Sequence, residues 1–124
     1  MFVAVDNTEE GKLIFFVWLN NKFVQRIYQT NKNKGLLVCL EKLLASLKMT
    51  LKDLRCLGVV VGAGRFTASR LAATAVNTLA YSLKIPALAL PKNFDPTTAL
   101  QSAKSAVAGK YVVPVYSGEA RIGN

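Results

Sequence analysis

The stretch CLGVVVGAGRFTASR, residues 56–70, constrains the chain more than any other. Its first six residues are apolar with no alternation, which is the pattern of a strand buried on both faces. That strand runs into Gly62 and Gly64 and then into alanine-rich, helix-forming sequence. A doubly buried strand needs cover on each side, and the helix-forming sequence that follows it is consistent with an α/β fold.

The rest of the order follows from periodicity. FVAVD, KLIFFVWLN and KFVQRIYQ are β-branched and aromatic runs separated by NTEEG and NN, which predicts a three-strand antiparallel meander. From Gly35 to Lys48, Leu36, Leu40, Leu43 and Leu47 recur at helical spacing, and Leu37 and Leu44 widen the stripe. After strand four, Thr67 is the predicted N-cap of a helix reaching Leu83, ended by Pro86. PALAL is strand five. A third helix starts with Asp95 as N-cap and Pro96 in its first turn and stops at Gly109. In YVVPVYS, Pro114 confines any strand to a sheet edge, and a polar tail, GEARIGN, follows. The predicted order is β-β-β-α-β-α-β-α, within a single domain spanning residues 1–124.

Several function classes fall away on composition. The chain has no histidine, so His-based acid/base catalysis and His-ligated metals are excluded within it, and no metal or cofactor is implied. Cys39 and Cys56 have no CxxC partner and read as reduced structural thiols. The longest apolar stretch, Leu13 to Leu19, falls short of the roughly 20 residues a membrane span requires. MFVAVDN carries no export signal, and the expected location is the cytosol. The net charge is +9, and the segments between Glu10 and Glu41 and between Asp53 and Asp95 carry only basic charges. Such a field attracts RNA or an acidic protein.

The glycine turn admits two readings. Gly62, Gly64, Arg65, Thr67 and Arg70 are the candidate anion-binding set, since a helix N-terminus offers backbone N–H groups and the arginines add charge. Against this, Thr67 replaces the third glycine of GxGxxG, no acidic residue lies about 20 positions on, and GK[ST] is absent. An architectural turn is the favoured reading. Asp6 to Thr8, DNT, reads as a plain hairpin turn.

The order of elements is the ribonuclease H-like arrangement, of which actin-like ATPases pair two lobes, and LKDLRCLGVVVGAGRFTASR resembles the TsaB (YeaZ) family. Asp53, Leu54, Gly62, Gly64, Phe66, Thr67 and Arg70 stand at the family's motif positions, while Ala63, Arg65, Ala68 and Ser69 depart from it. The likeness covers roughly residues 1–94, mainly the family's N-terminal lobe. It implies a single lobe with a mixed sheet flanked by helices. It also implies a non-catalytic role as partner of the transferase TsaD in forming threonylcarbamoyladenosine in tRNA. Pairing, as a heterodimer with TsaD or as a homodimer, would run through helices 35–48 and 67–83, with tRNA held in the complex.

Helical geometry points to the same surface. The apolar arc of the first helix spans roughly 160°, wider than the roughly 100° one core requires. Leu37 and Leu44 flank that arc, and Ala73 and Ala80 flank the line of Ala72, Ala75 and Leu79 on the second helix. These four are the predicted interface residues, exposed in the monomer. The alternatives are a stand-alone basic RNA-binding module, using the strand aromatics Phe15, Phe16, Trp18, Phe23 and Tyr28, and a single-lobe nucleotide-binding enzyme or nuclease built around Asp6.

Overall fold

A computed structural model describes residues 1–29, 35–62 and 66–112, with the side chains of 66–69 excepted. Its sheet consists of β1 (Phe2–Asp6), β2 (Lys12–Leu19), β3 (Lys22–Gln29), β4 (Cys56–Val60) and β5 (Ala87–Leu90), in the order β3-β2-β1-β4-β5. The β1–β2 and β2–β3 pairs are antiparallel, and the β1–β4 and β4–β5 pairs are parallel. The expected meander and the parallel half therefore meet at β1. This is a mixed α/β sheet of the ribonuclease H-like, actin-like kind.

Local chemistry explains the joints. The β2–β3 hairpin turns on Asn20 and Asn21, both at positive φ, as a two-residue primed turn demands. Gly58 on β4 is opposite Ala4 on β1, and a Cβ on it would lie 3.1 Å from that of Ala4 and 3.2 Å from the Phe2 ring. Only glycine lets the two central strands and their aromatic neighbour approach this closely.

The helices form two layers. Helices α1 (Leu36–Ser46) and α2 (Phe66–Leu83) cover one face, over Val3, Val5, Phe15, Val17, Leu57 and Val59. Helix α3 (Pro96–Ser105) covers the other, against Phe2, Ala4, Trp18, Val60 and Leu90. Asp95 caps α3 as expected, its carboxylate accepting the Thr98 N–H at 2.9 Å. The helix stops at Ser105, four residues before Gly109, with Ala106 as the C-cap. Helix α2 includes Phe66, so Thr67 lies inside the first turn and not at the cap. Tyr111 and Val112 are not in a strand, and the rest of YVVPVYS lies outside the described residues.

Helices α1 and α2 end in the same way. Lys48 and Lys84 adopt φ values of 58° and 59°. The next residue's N–H reaches back to the helix, Met49 to the Leu44 carbonyl at 2.9 Å and Ile85 to the Ala80 carbonyl at 3.0 Å. These are Schellman closures in which lysine takes the place usual for glycine. The left-handed backbone is unfavourable for lysine, but its positive charge suits the negative end of the helix.

Candidate functional site

Three places answer to the sequence-predicted functional residues: the β4–α2 turn, the end of β1, and the outer surface of α1 and α2. At the turn, Gly62 has φ of +84° and faces solvent, a left-handed conformation that glycine adopts without strain. Gly64, Arg65 and the side chain of Thr67 lie outside the described residues. Arg70 is exposed on α2.

The end of β1 holds a built polar cluster. Asp6 is buried, and its Oδ1 accepts hydrogen bonds from the Thr8 backbone N–H at 2.8 Å and the Thr8 hydroxyl at 2.6 Å. The DNT segment is therefore a turn closed on its own aspartate. The other oxygen, Oδ2, meets the ammonium of Lys92, just beyond β5, at 2.8 Å. That ammonium also donates to Thr8 Oγ1 at 2.9 Å and to Glu9 Oε2 at 3.2 Å, and Glu9 reaches Lys12 at 3.0 Å. Burial lowers the pKa of Lys92, but its bonds to Asp6 and then Glu9 outweigh this and leave it raised. Glu9 is held below the usual carboxylate range, first by its hydrogen bond from Lys12 and then by Lys92.

The cluster is electrostatically closed, because the carboxylates that would attract a cation already face an ammonium. Among the described residues, no group of three or more His, Cys, Asp or Glu side chains is placed to hold a metal ion. Sequence reasoning missed Lys92, since nothing local in PKNFD marks a lysine as the partner of a residue on β1.

On the helices, the expected flank is corrected. Leu37 is exposed, but Leu44, Ala73 and Ala80 are buried, at 3%, 1% and 2% of their free accessibility. The physical reason is lateral packing: α1 and α2 touch each other as well as sharing the core over the sheet, and a helix with two neighbours buries a wider arc than a helix with one. On α1 the buried set is Cys39, Leu40, Leu43 and Leu44, and Leu36 and Leu47 are only partly covered. Outward-facing apolar side chains are present, but they are Leu37, Val38, Leu71 and Tyr81.

With this geometry in place, comparison with known proteins is decisive for lineage. The model of the family TsaD, tRNA N6-adenosine threonylcarbamoyltransferase, matches residues 23–92. The chain belongs to this family. No curated protein matches the sequence significantly. Among solved structures, YeaZ from Pseudomonas aeruginosa is similar with a TM-score of 0.64 and 22% identity, covering 73% of this chain and 44% of that one. A protein described as uncharacterized, with similarity to peptidase YEAZ from Pseudomonas aeruginosa, gives a TM-score of 0.64 at 18% identity, covering 84% of this chain and 48% of that one. The chain thus spans about half the length of these structural relatives. The TsaB (YeaZ) likeness read from the sequence holds in the fold. No helix among the described residues is long and apolar enough to cross a membrane.

Proposed function

We propose that this member of the TsaD family is a non-catalytic partner of a TsaD-type transferase in the formation of threonylcarbamoyladenosine in tRNA, and that it docks through the outward faces of α1 and α2. The family match supplies the pathway, because the family's transferase acts on a tRNA adenosine. The lack of any histidine in these 124 residues supports the partner role over the catalytic one, since a His-ligated metal centre cannot be built from them.

The observation that carries the docking surface is the exposure of large apolar side chains on two adjacent helices: Leu37 at 49%, Leu71 at 64% and Tyr81 at 70%. Isolated exposed leucines are ordinary, but apolar residues on neighbouring helices give a partner helix something to bury. The net charge of +9 gives the complex a field that draws tRNA.

Co-expression with the cognate transferase, followed by sedimentation, tests the reading. A stable complex is expected, with an increased yield of threonylcarbamoyladenosine in a reconstituted reaction. Leu37→Glu combined with Leu71→Glu places charges in the apolar contact and should weaken the complex more than tenfold at unchanged melting temperature. Binding unaffected by that pair would displace the docking surface to another face. A wild-type chain that neither binds the transferase nor raises product would end the partner reading. Self-association through the same residues would appear as a dimer that the same two substitutions dissociate.

A further inference from the structure

The face of the sheet opposite α1 and α2 carries a feature that the partner reading leaves unused. A cleft of about 360 Å³ lies between the β2–β3 hairpin and α3. Trp18 and Phe23, cross-strand partners with ring centroids 4.8 Å apart, line it. The hairpin adds Asn20, Asn21 and Lys22, and α3 adds Lys104.

Each of these residues restricts the ligand. Trp18 is buried, its Nε1 donating to the Pro96 carbonyl at 3.1 Å, whereas Phe23 is 41% exposed. The tryptophan is therefore part of the core and the phenylalanine presents open aromatic surface above it. Lysines stand on both walls, and no Asp or Glu lines the cleft. The nearby Asp95 carboxylate is engaged by the Thr98 N–H and hydroxyl, both at 2.9 Å. The asparagine amides supply donors and acceptors together, as the edge of a base requires. A ligand with a flat π-face, a polar edge and flanking negative charge satisfies all three surfaces, and the volume suits one such unit.

We infer that this cleft binds a nucleotide of a single-stranded nucleic acid, with its base stacked on Phe23 and its flanking phosphates held by Lys22 and Lys104. The site is on the opposite face from the proposed docking helices, and neither reading depends on the other. Duplex nucleic acid does not fit it, because stacked and paired bases present no free face to Phe23.

Trp18 is the chain's only tryptophan and serves as an internal reporter. Titration of the full chain with oligouridylate should change Trp18 fluorescence in a saturable way, with oligodeoxyuridylate run in parallel to separate RNA from DNA as the natural source. Lys22→Ala with Lys104→Ala should weaken binding at least tenfold. It should also make the slope of log K against log salt shallower by about 1.4, the loss of two phosphate contacts on a single strand. Lys42→Ala with Lys52→Ala, which removes equal charge from exposed positions outside the cleft, should leave affinity within a factor of two to three of wild type. Phe23→Leu keeps apolar bulk but removes the π-face, and should weaken binding about tenfold. The inference is overturned if oligouridylate and oligodeoxyuridylate both fail to bind at low salt, if they bind without altering Trp18 fluorescence, or if the control pair weakens binding as much as the cleft pair. It is also overturned if duplex RNA or polyglutamate binds as tightly.

Discussion

The Lys92 ammonium stands 2.8 Å from Asp6 Oδ2, joining residues 86 positions apart in sequence. The contact ties the segment beyond β5 to the end of β1, two strands that are separated by β4 in the sheet. It also places positive charge where a buried carboxylate at a strand end would otherwise attract a cation.

Removing the ammonium should therefore expose a conflict inside the fold. In Lys92→Met, Asp6 keeps its two bonds from Thr8 at Oδ1 but loses its partner at Oδ2, and a buried acceptor without a partner costs about 1–3 kcal/mol, more when it is charged. Asp6→Asn in the Lys92→Met background removes the stranded charge and should recover part of that loss. Urea melts of the wild type, Lys92→Met, Asp6→Asn and the double variant should give a coupling energy of about 1 kcal/mol or more. A coupling within error of zero would mean that the bridge is a surface contact of little worth.

The helix surface yields a second test, in which a buried and an exposed leucine two turns apart behave differently. Leu44 fills the space beneath α1, so Leu44→Ala should cost about 2–5 kcal/mol. Leu37 is outward-facing, and Leu37→Ala should stay within about 0.5 kcal/mol of wild type. The two share a face of α1 and differ in position along it, so equal losses would contradict the burial of Leu44 and the exposure of Leu37. Ala80→Glu provides a stringent companion, because a charge introduced at that buried position should prevent stable folding.

These leucines also show what the sequence could and could not disclose. The order of elements along the chain, the Asn20–Asn21 turn and the Asp95 cap were legible because each has a local chemical signature: hydrophobic periodicity, tolerance of positive φ, and a carboxylate one turn from a free N–H. The width of an apolar arc was legible too, but its meaning was not. A wide arc reports how many neighbours a helix has, and it does not say whether the additional neighbour is another chain or the next helix of the same one. Leu44, Ala73 and Ala80 read as a partner surface for that reason, and are buried in this chain's own core. The Asp6–Lys92 bridge left no signature, since a long-range ion pair has no spacing rule. Phe23 was named among the strand aromatics, but only the placement of α3 determines that its ring stays open while that of Trp18 is covered.

The turn after β4 should be sensitive to side-chain bulk. Gly62 sits at φ of +84°, where a Cβ meets backbone strain and a β-branched side chain meets more. Gly62→Ala should lower stability by about 1 kcal/mol and Gly62→Val by more, with the sheet unchanged in circular dichroism. Unaltered melting for Gly62→Val would show that the turn can relax. If that variant kept its stability but lost binding to a phosphorylated ligand, the anion-cradle reading would replace the architectural one.

Cys56 gives a prediction in pH. It is buried at the start of β4, and desolvation pushes its thiol from an ordinary 9.0 up to about 11. In the unfolded chain the thiol ionises near pH 9, whereas in the native protein it keeps its proton until about pH 11. Between these values the native state binds more protons than the unfolded state, so the slope of unfolding free energy against pH is negative. The thiol's contribution is complete below about pH 9 and is lost as the pH rises through about 11, a change on the order of 3 kcal/mol. Lysines and tyrosines also titrate in this window, so the measurement is a difference between the wild type and Cys56→Ala. Their stabilities, from urea melts at successive pH values, should differ by a constant amount up to about pH 9 and converge above it. Rapid alkylation of native Cys56 at neutral pH, or parallel stability curves up to pH 11, would show that the thiol is accessible to water and that its burial in β4 is incomplete.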